Sequence, residues 1–165
     1  MENIINNIIN SYKQVNDQII IIENKFDDEI IEPMITLKNS LIIENCENIT
    51  ILIKQKINHL LVRNCHNIKL LISGCITGFD LLYSNNNIIC NINDISHIID
   101  YYKSSNNIYH LYRSINDAII FRVEYSHSNN IKLYNNNILI ADYTHSLNLF
   151  NPNYRLYITR SINSF

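Results

Sequence analysis

The sequence predicts an all-β fold: a single-stranded β-solenoid (parallel β-helix) with coils of about 19–20 residues and an N-terminal helical cap. Three observations carry this expectation. The dipeptide Asn-Ile recurs at Asn48-Ile49, Asn67-Ile68, Asn87-Ile88, Asn107-Ile108 and Asn130-Ile131, in near-regular steps of which the last is the longest. A period of that size marks a solenoid, and the unit is too short for a pair of helices. Alternating apolar positions follow the dipeptide, as in Ile49-x-Ile51-x-Ile53 and Ile68-x-Leu70-x-Ile72, and a period of two makes the element a strand. Finally, two successive copies align without a gap, Leu41 to Ile53 on Leu60 to Ile72.

The elements follow in order. Over residues 2–18, Ile4, Ile5, Ile8, Ile9, Tyr12 and Val15 recur at helical spacing, which predicts an amphipathic helix. Residues 1–18 are therefore expected to cap the open solenoid end or to serve oligomerisation, and residues 19–165 to form the β-solenoid domain. Ile19 to Ile22 and Ile30 to Leu37 read as the first strands, separated by the charged turn Lys25 to Glu29. The third copy, from Leu81, needs one inserted residue to bring Asn87 over Asn67. On that register Ile49, Ile68, Ile88 and Ile131 point inward, while positions 50, 69, 89 and 132 are more exposed. Asn48, Asn67, Asn87, Asn107 and Asn130 then stack at one corner as a structural amide ladder. Ser146 to Leu149 and Ser161 to Asn163 read as decayed copies.

Composition bounds function. The 165 residues hold 35 Ile and 29 Asn but only 2 Gly, 2 Pro and no Trp. Asn takes over the turn-forming task that glycine usually performs. Such a bias resembles proteins from A/T-rich genomes, giant DNA viruses among them. The net charge of −2 divides into −6 up to Glu47 and +4 beyond it. No basic leader opens the chain and no apolar run reaches the ~20 residues of a membrane helix, so a cytoplasmic location is expected, host cytoplasm or virion if the protein is viral. Cys46, Cys65, Cys75 and Cys90 lack paired CxxC spacing and are expected to be reduced.

No catalytic, cofactor-binding or metal-binding residue is expected. The six histidines show no HxH or HExxH spacing, Gly74 and Gly78 cannot build a phosphate loop, and Cys46 and Cys65 read as a stacked corner. His110 reads as an inward strand residue. Polysaccharide chemistry on a β-helix needs clustered acids, whereas Asp80, Asp94, Asp100, Asp117, Glu124 and Asp142 are singly placed. Ten of the eleven tyrosines lie from Tyr83 onward, interleaved with arginines. Tyr101, Tyr102, Tyr109, Tyr112, Arg113, Arg122, Tyr125 and Tyr134 form the candidate interaction face, because Tyr and Arg dominate binding hot spots. Sparse lysine argues against nucleic acid.

The run "IIENCENITILIKQKINHLLVRNCHNIKLLI", within Leu41 to Asp94, resembles the β-helical domains of the cyclase-associated protein C-terminal and tubulin-folding cofactor C superfamily. The shared features are an apolar-x-apolar strand, a Cys or polar corner and an Asn-Ile-like pair, repeated once per coil. The resemblance implies binding to actin, tubulin or small GTPases. Cofactor C acts through an arginine in a Gln-x-Arg-type setting; Gln14, Gln18 and Gln55 are not followed by one here. The reading is thus a non-enzymatic structural or interaction β-helix that binds itself as a homodimer or homotrimer, or another protein, without cofactor, membrane or nucleic acid. A self-associating virus-particle component is its most concrete form. The alternatives are a carbohydrate-processing β-helix enzyme and a cytoskeleton or GTPase regulator.

Overall fold

Parallel strands cannot be joined by a hairpin, so a chain of short apolar strands separated by Asn-rich corners closes by coiling upon itself. The computed structural model describes residues 12–91, 98–102, 106–111, 119–124, 130–144, 147–150 and 156–161. All regular elements there are strands: β1 (Lys13–Gln14), β2 (Ile19–Glu23), β3 (Ile30–Ile31), β4 (Ser40–Glu44), β5 (Thr50–Arg63), β6 (Lys69–Leu82), β7 (Ile88–Asn91), β8 (Ile98–Tyr102), β9 (Ile108–Leu111), β10 (Ile119–Glu124), β11 (Ile131–Asn135), β12 (Ile138–Thr144), β13 (Leu147–Phe150) and β14 (Leu156–Ser161).

The chain is a β-solenoid, but each coil feeds two stacks of strands rather than one. The first stack runs β2, β4, the second half of β5, the second half of β6, β8, β10 and β14, all parallel. The second runs β3, the first halves of β5 and β6, β7, β9 and β11, also parallel. β5 and β6 pass from one stack to the other through a bend, where their register slips between Ile53 and Lys56 and between Ile57 and His59. Inside, Leu41, Ile43, Leu60, Val62, Phe79 and Leu81 face Ile49, Ile51, Ile53, Ile68, Leu70 and Ile72, each no more than 2% exposed. Removing such surface from water is the main stabilising term, roughly 25 cal/mol per Å².

Four expectations need correction. Residues 12–18 are not helical: β1 pairs antiparallel with β2, and Asn16 makes the turn by accepting from the amides of Gln18 (2.8 Å) and Ile19 (2.9 Å) through its Oδ1. A local side-chain bond of this kind outcompetes a helix of poor formers; residues 1–11 lie outside the described residues. Of Ile30 to Leu37 only Ile30 and Ile31 are strand, and Thr36 turns into Asn39, whose Oδ1 accepts from the Thr36 amide at 2.8 Å.

The third coil needs no inserted residue. Lys69 pairs with Ile88 and Leu70 with Ile89, so Ile89 is buried while Ile88 is 40% exposed, the reverse of the expected register. Its cause is the corner. Asn86 takes the positive φ (60°) that Asn67 (53°) takes one coil before, so the step from Asn67 to Asn86 equals the step from Asn48 to Asn67. At the far end, the copy expected at Ser146 to Leu149 does not continue the coil, whereas β14, which ends at Ser161, stacks parallel on β10; Ile162 and Asn163 lie outside the described residues. Asn136 and Asn137, at φ 48° and 64°, form a two-residue hairpin turn, and β12 and β13 add antiparallel to β11.

Candidate interaction surface

The corner decides which side chains are presented. Asn48, Asn67, Asn86, Asn106 and Asn130 all adopt left-handed backbone, which asparagine tolerates better than other residues with a Cβ. They form an outer column in which Asn67 Nδ2 donates to Asn48 Oδ1, and Asn130 Nδ2 to Asn106 Oδ1 at 2.8 Å. Asn87 and Asn107 belong one position further on, in the column of Ile49, Ile68 and Ile131, and both are fully buried. Thus the five asparagines expected in one ladder divide between two columns. The buried pair reaches down to the coil below. Asn87 accepts from the Ile68 amide (3.0 Å) and donates to the Cys65 carbonyl (3.2 Å); Asn107 accepts from the Asn87 amide (2.9 Å) and donates to the Ser84 carbonyl (2.9 Å).

Cys46, Cys65 and Ser84 form a third corner column. Each side chain donates to the carbonyl two residues before it: Cys46 to Glu44 (3.2 Å), Cys65 to Arg63 (3.3 Å) and Ser84 to Leu82 (2.8 Å). The adjacent Cys46 sulfur and burial push the Cys65 thiol up, and burial alone pushes Cys75 up to about 12. Both are therefore protonated, poor nucleophiles. Among the described residues no group of three or more His, Cys, Asp or Glu converges as a metal site. No helix among them is long and apolar enough to cross a membrane.

Among the described residues the tyrosines are not gathered on one face. Tyr109 is fully buried and meets Phe79 edge-on, with centroids 5.5 Å apart, so it belongs to the core. Tyr134 lies on the outside of the second stack, its ring parallel to His110 at 5.0 Å. His110 is thereby half-buried on the outer side, not inward. Burial lowers its pKa, and its Nδ1 has no hydrogen-bond partner among the described residues. Tyr101 and Tyr102 lie on β8 of the other stack, in register with Leu81 and Leu82, and Arg122 lies on β10 in register with Asp100. Tyr112, Arg113 and Tyr125 lie outside the described residues.

The two outer faces differ in chemistry. On the second stack, Leu52, Leu71, Cys90, His110 and Tyr134 occupy consecutive register positions, all half-buried. Beside them runs the row Thr50, Lys69, Ile88, Ile108 and Lys132. This surface is apolar with a cationic border. The first stack instead carries ion pairs: Arg63 with Glu44 (2.7 Å) and His59 with Asp80 (3.1 Å). Asp80 is in register with Asp100, as their one-coil separation suggests, and Arg122 follows in the same row. Sequence reasoning missed Ile88 as a surface residue. Counting the corner from Asn86 instead of Asn87 would have found it.

The sequence profile of the family described as "Adenylate cyclase associated (CAP) C terminal" matches residues 10–137. Among solved structures, cyclase-associated protein from Cryptosporidium parvum is similar, with a TM-score of 0.64 at 17% identity over 84% of this chain and 82% of that chain. At that identity the likeness is one of fold. No curated protein matches the chain by sequence.

Proposed function

Since the chain belongs to the family of adenylate cyclase-associated protein (CAP) C-terminal domains, we propose that it is a non-enzymatic interaction module of the cytoskeleton whose partner is actin. The observation that carries this reading is the outer face of the second stack. Leu52, Leu71, Cys90 and the His110–Tyr134 stack present a flat apolar strip bordered by Lys69 and Lys132. Aromatic anchors within an apolar strip and a charged rim are the anatomy of protein interfaces. Two features favour a binding role over catalysis. Glu44 and Asp80 of the first stack are tied into ion pairs with Arg63 and His59, and the Cys65 and Cys75 thiols are held protonated. The missing Gln-x-Arg pattern weighs against GTPase activation.

Sedimentation velocity with monomeric actin tests the proposal. The full chain should form a complex at micromolar concentration, and Ile88→Asp should weaken it at least tenfold while leaving the melt of the free chain unchanged, because Ile88 is already 40% exposed. Absence of a complex at any tested concentration would sink the actin reading. The same runs without actin report self-association as a homodimer or homotrimer, the finer part of the proposal.

A further inference from the structure

The apolar strip of the second stack does not stop at Leu52. Ile30 pairs with Thr50, so it heads the outer row that continues through Lys69, Ile88, Ile108 and Lys132. Burial alternates along residues 30–35: Ile31, Pro33 and Ile35 are buried, whereas Ile30, Glu32 and Met34 are exposed. Ile30 is 69% and Met34 79% exposed, the two highest values among the large apolar side chains described. Between them the Glu32 carboxylate is taken by Lys54 at 2.7 Å, so its charge is compensated. Apolar surface of this kind marks a place that a partner covers.

The size of the strip points the same way. From Leu52 to Tyr134 the register runs through Leu71, Cys90 and His110, at about 4.8 Å per coil, and same-face side chains along a strand are about 6.8 Å apart. Two rows therefore cover roughly 19 Å by 14 Å, under ~300 Å². A specific interface takes about 800 Å² of each partner. The footprint has to run past the strip, and Ile30 and Met34 continue it in the same face.

Charge indicates what meets them. Lys69 and Lys132 border the strip in the later coils. Beside Ile30 stands the turn Asp27-Asp28, both exposed, with φ of 72° and 56° and the Asp28 amide donating to the Asn48 carbonyl at 2.7 Å. Glu29 is half-buried and lies 4.0 Å from Lys25. The face is thus acidic at the first coil and basic further along. Charges placed in this way fix the orientation in which a partner docks.

We propose that the partner's footprint extends over Ile30 and Met34 onto the first coil, where a basic patch of the partner meets Asp27 and Asp28. The inference rests on the reading of the strip as the actin-binding face. It adds the orientation: a basic surface of actin lies toward the N-terminal end of the solenoid.

Sedimentation velocity with monomeric actin tests this in the full chain, in Ile30→Ser combined with Met34→Ser, and in Asp27→Asn combined with Asp28→Asn. The serines replace side chains that are already exposed, and asparagine tolerates the left-handed backbone of the turn, so both variants should keep the wild-type urea midpoint. The serine variant should weaken the complex at least tenfold. The asparagine variant should weaken it by about threefold or more at low salt, and its difference from the wild type should vanish at high salt, because exposed charges are screened. Wild-type affinity in the serine variant, with Ile88→Asp still disruptive, would overturn the extension and leave the actin reading standing. Tighter binding by the asparagine variant would place an acidic surface of the partner there and overturn the orientation. No complex with the full chain would end both readings.

Discussion

The same inward column of the corner is filled in two ways. In the lower coils it holds Ile49 and Ile68; in the next two it holds Asn87 and Asn107 before Ile131 follows, and all five are at most 2% exposed. Isoleucine there contributes apolar burial, which is strong but non-directional. Asparagine contributes less burial, but its amide clips two backbone groups of the coil beneath, an N–H and a C=O. A buried backbone group must be paired, or it costs the full desolvation penalty. The comparison teaches that coil stacking here has two independent sources, packing below and a directional amide clip above.

Charge placed in the lower half should have the largest effect. Ile68→Asp puts an unpaired carboxylate into a site 1% exposed, and several kcal/mol, on the order of 4, should be lost. A urea melt that retains the wild-type midpoint would refute the register. Asn87→Leu sharpens the contrast. It keeps the number of side-chain heavy atoms but strands the Ile68 amide and removes one of the two donors to the Cys65 carbonyl, which keeps the Asn85 amide, and should cost about 1–3 kcal/mol even though it adds apolar surface. If Asn87→Leu were neutral, the upper column would be packed like the lower one and the clip would contribute nothing.

The difference between the halves also explains what was legible in the sequence. The solenoid, the coil period and the inward Ile49, Ile51, Ile68 and Leu70 follow from alternation, because only burial sets those positions. The register of the third coil did not follow. Asn85-Asn86-Asn87 offers three residues able to adopt positive φ, and pattern alone cannot choose among them. Backbone hydrogen bonding chooses: Asn86 turns and Asn87 is left pointing in, where its amide has two backbone partners in the coil below. That one-residue slip sends Ile88 and Cys90 outward and extends the apolar strip that Leu52 and Leu71 begin on the second stack. Tyr109 was misplaced for a related reason, since tyrosine suits a core strand and an interface equally well. The N-terminal turn was hidden because a single side chain, Asn16, overrides a helical period.

The smallest expected effect tests the corner backbone by itself, free of the inward column. Asn45, Asn64 and Tyr83 occupy equivalent positions in three successive coils, with φ of 53°, 51° and 51°. Asn64 Nδ2 donates to Asn45 Oδ1 at 3.3 Å, extending the exposed amide pairing of the corner. A left-handed residue with a Cβ costs roughly 1–2 kcal/mol, and asparagine escapes part of that cost through local hydrogen bonding. Tyrosine carries no short amide with which to bond the neighbouring backbone, and Tyr83 stays 43% exposed. Tyr83→Asn gives the third coil the residue its two predecessors already use at that corner. It should raise stability by about 0.5 kcal/mol, read as a higher urea midpoint at an unchanged m-value. A loss of stability instead would mean that contacts of the ring outweigh the backbone preference, and the corner of the third coil would then be held by its side chain and not by its turn.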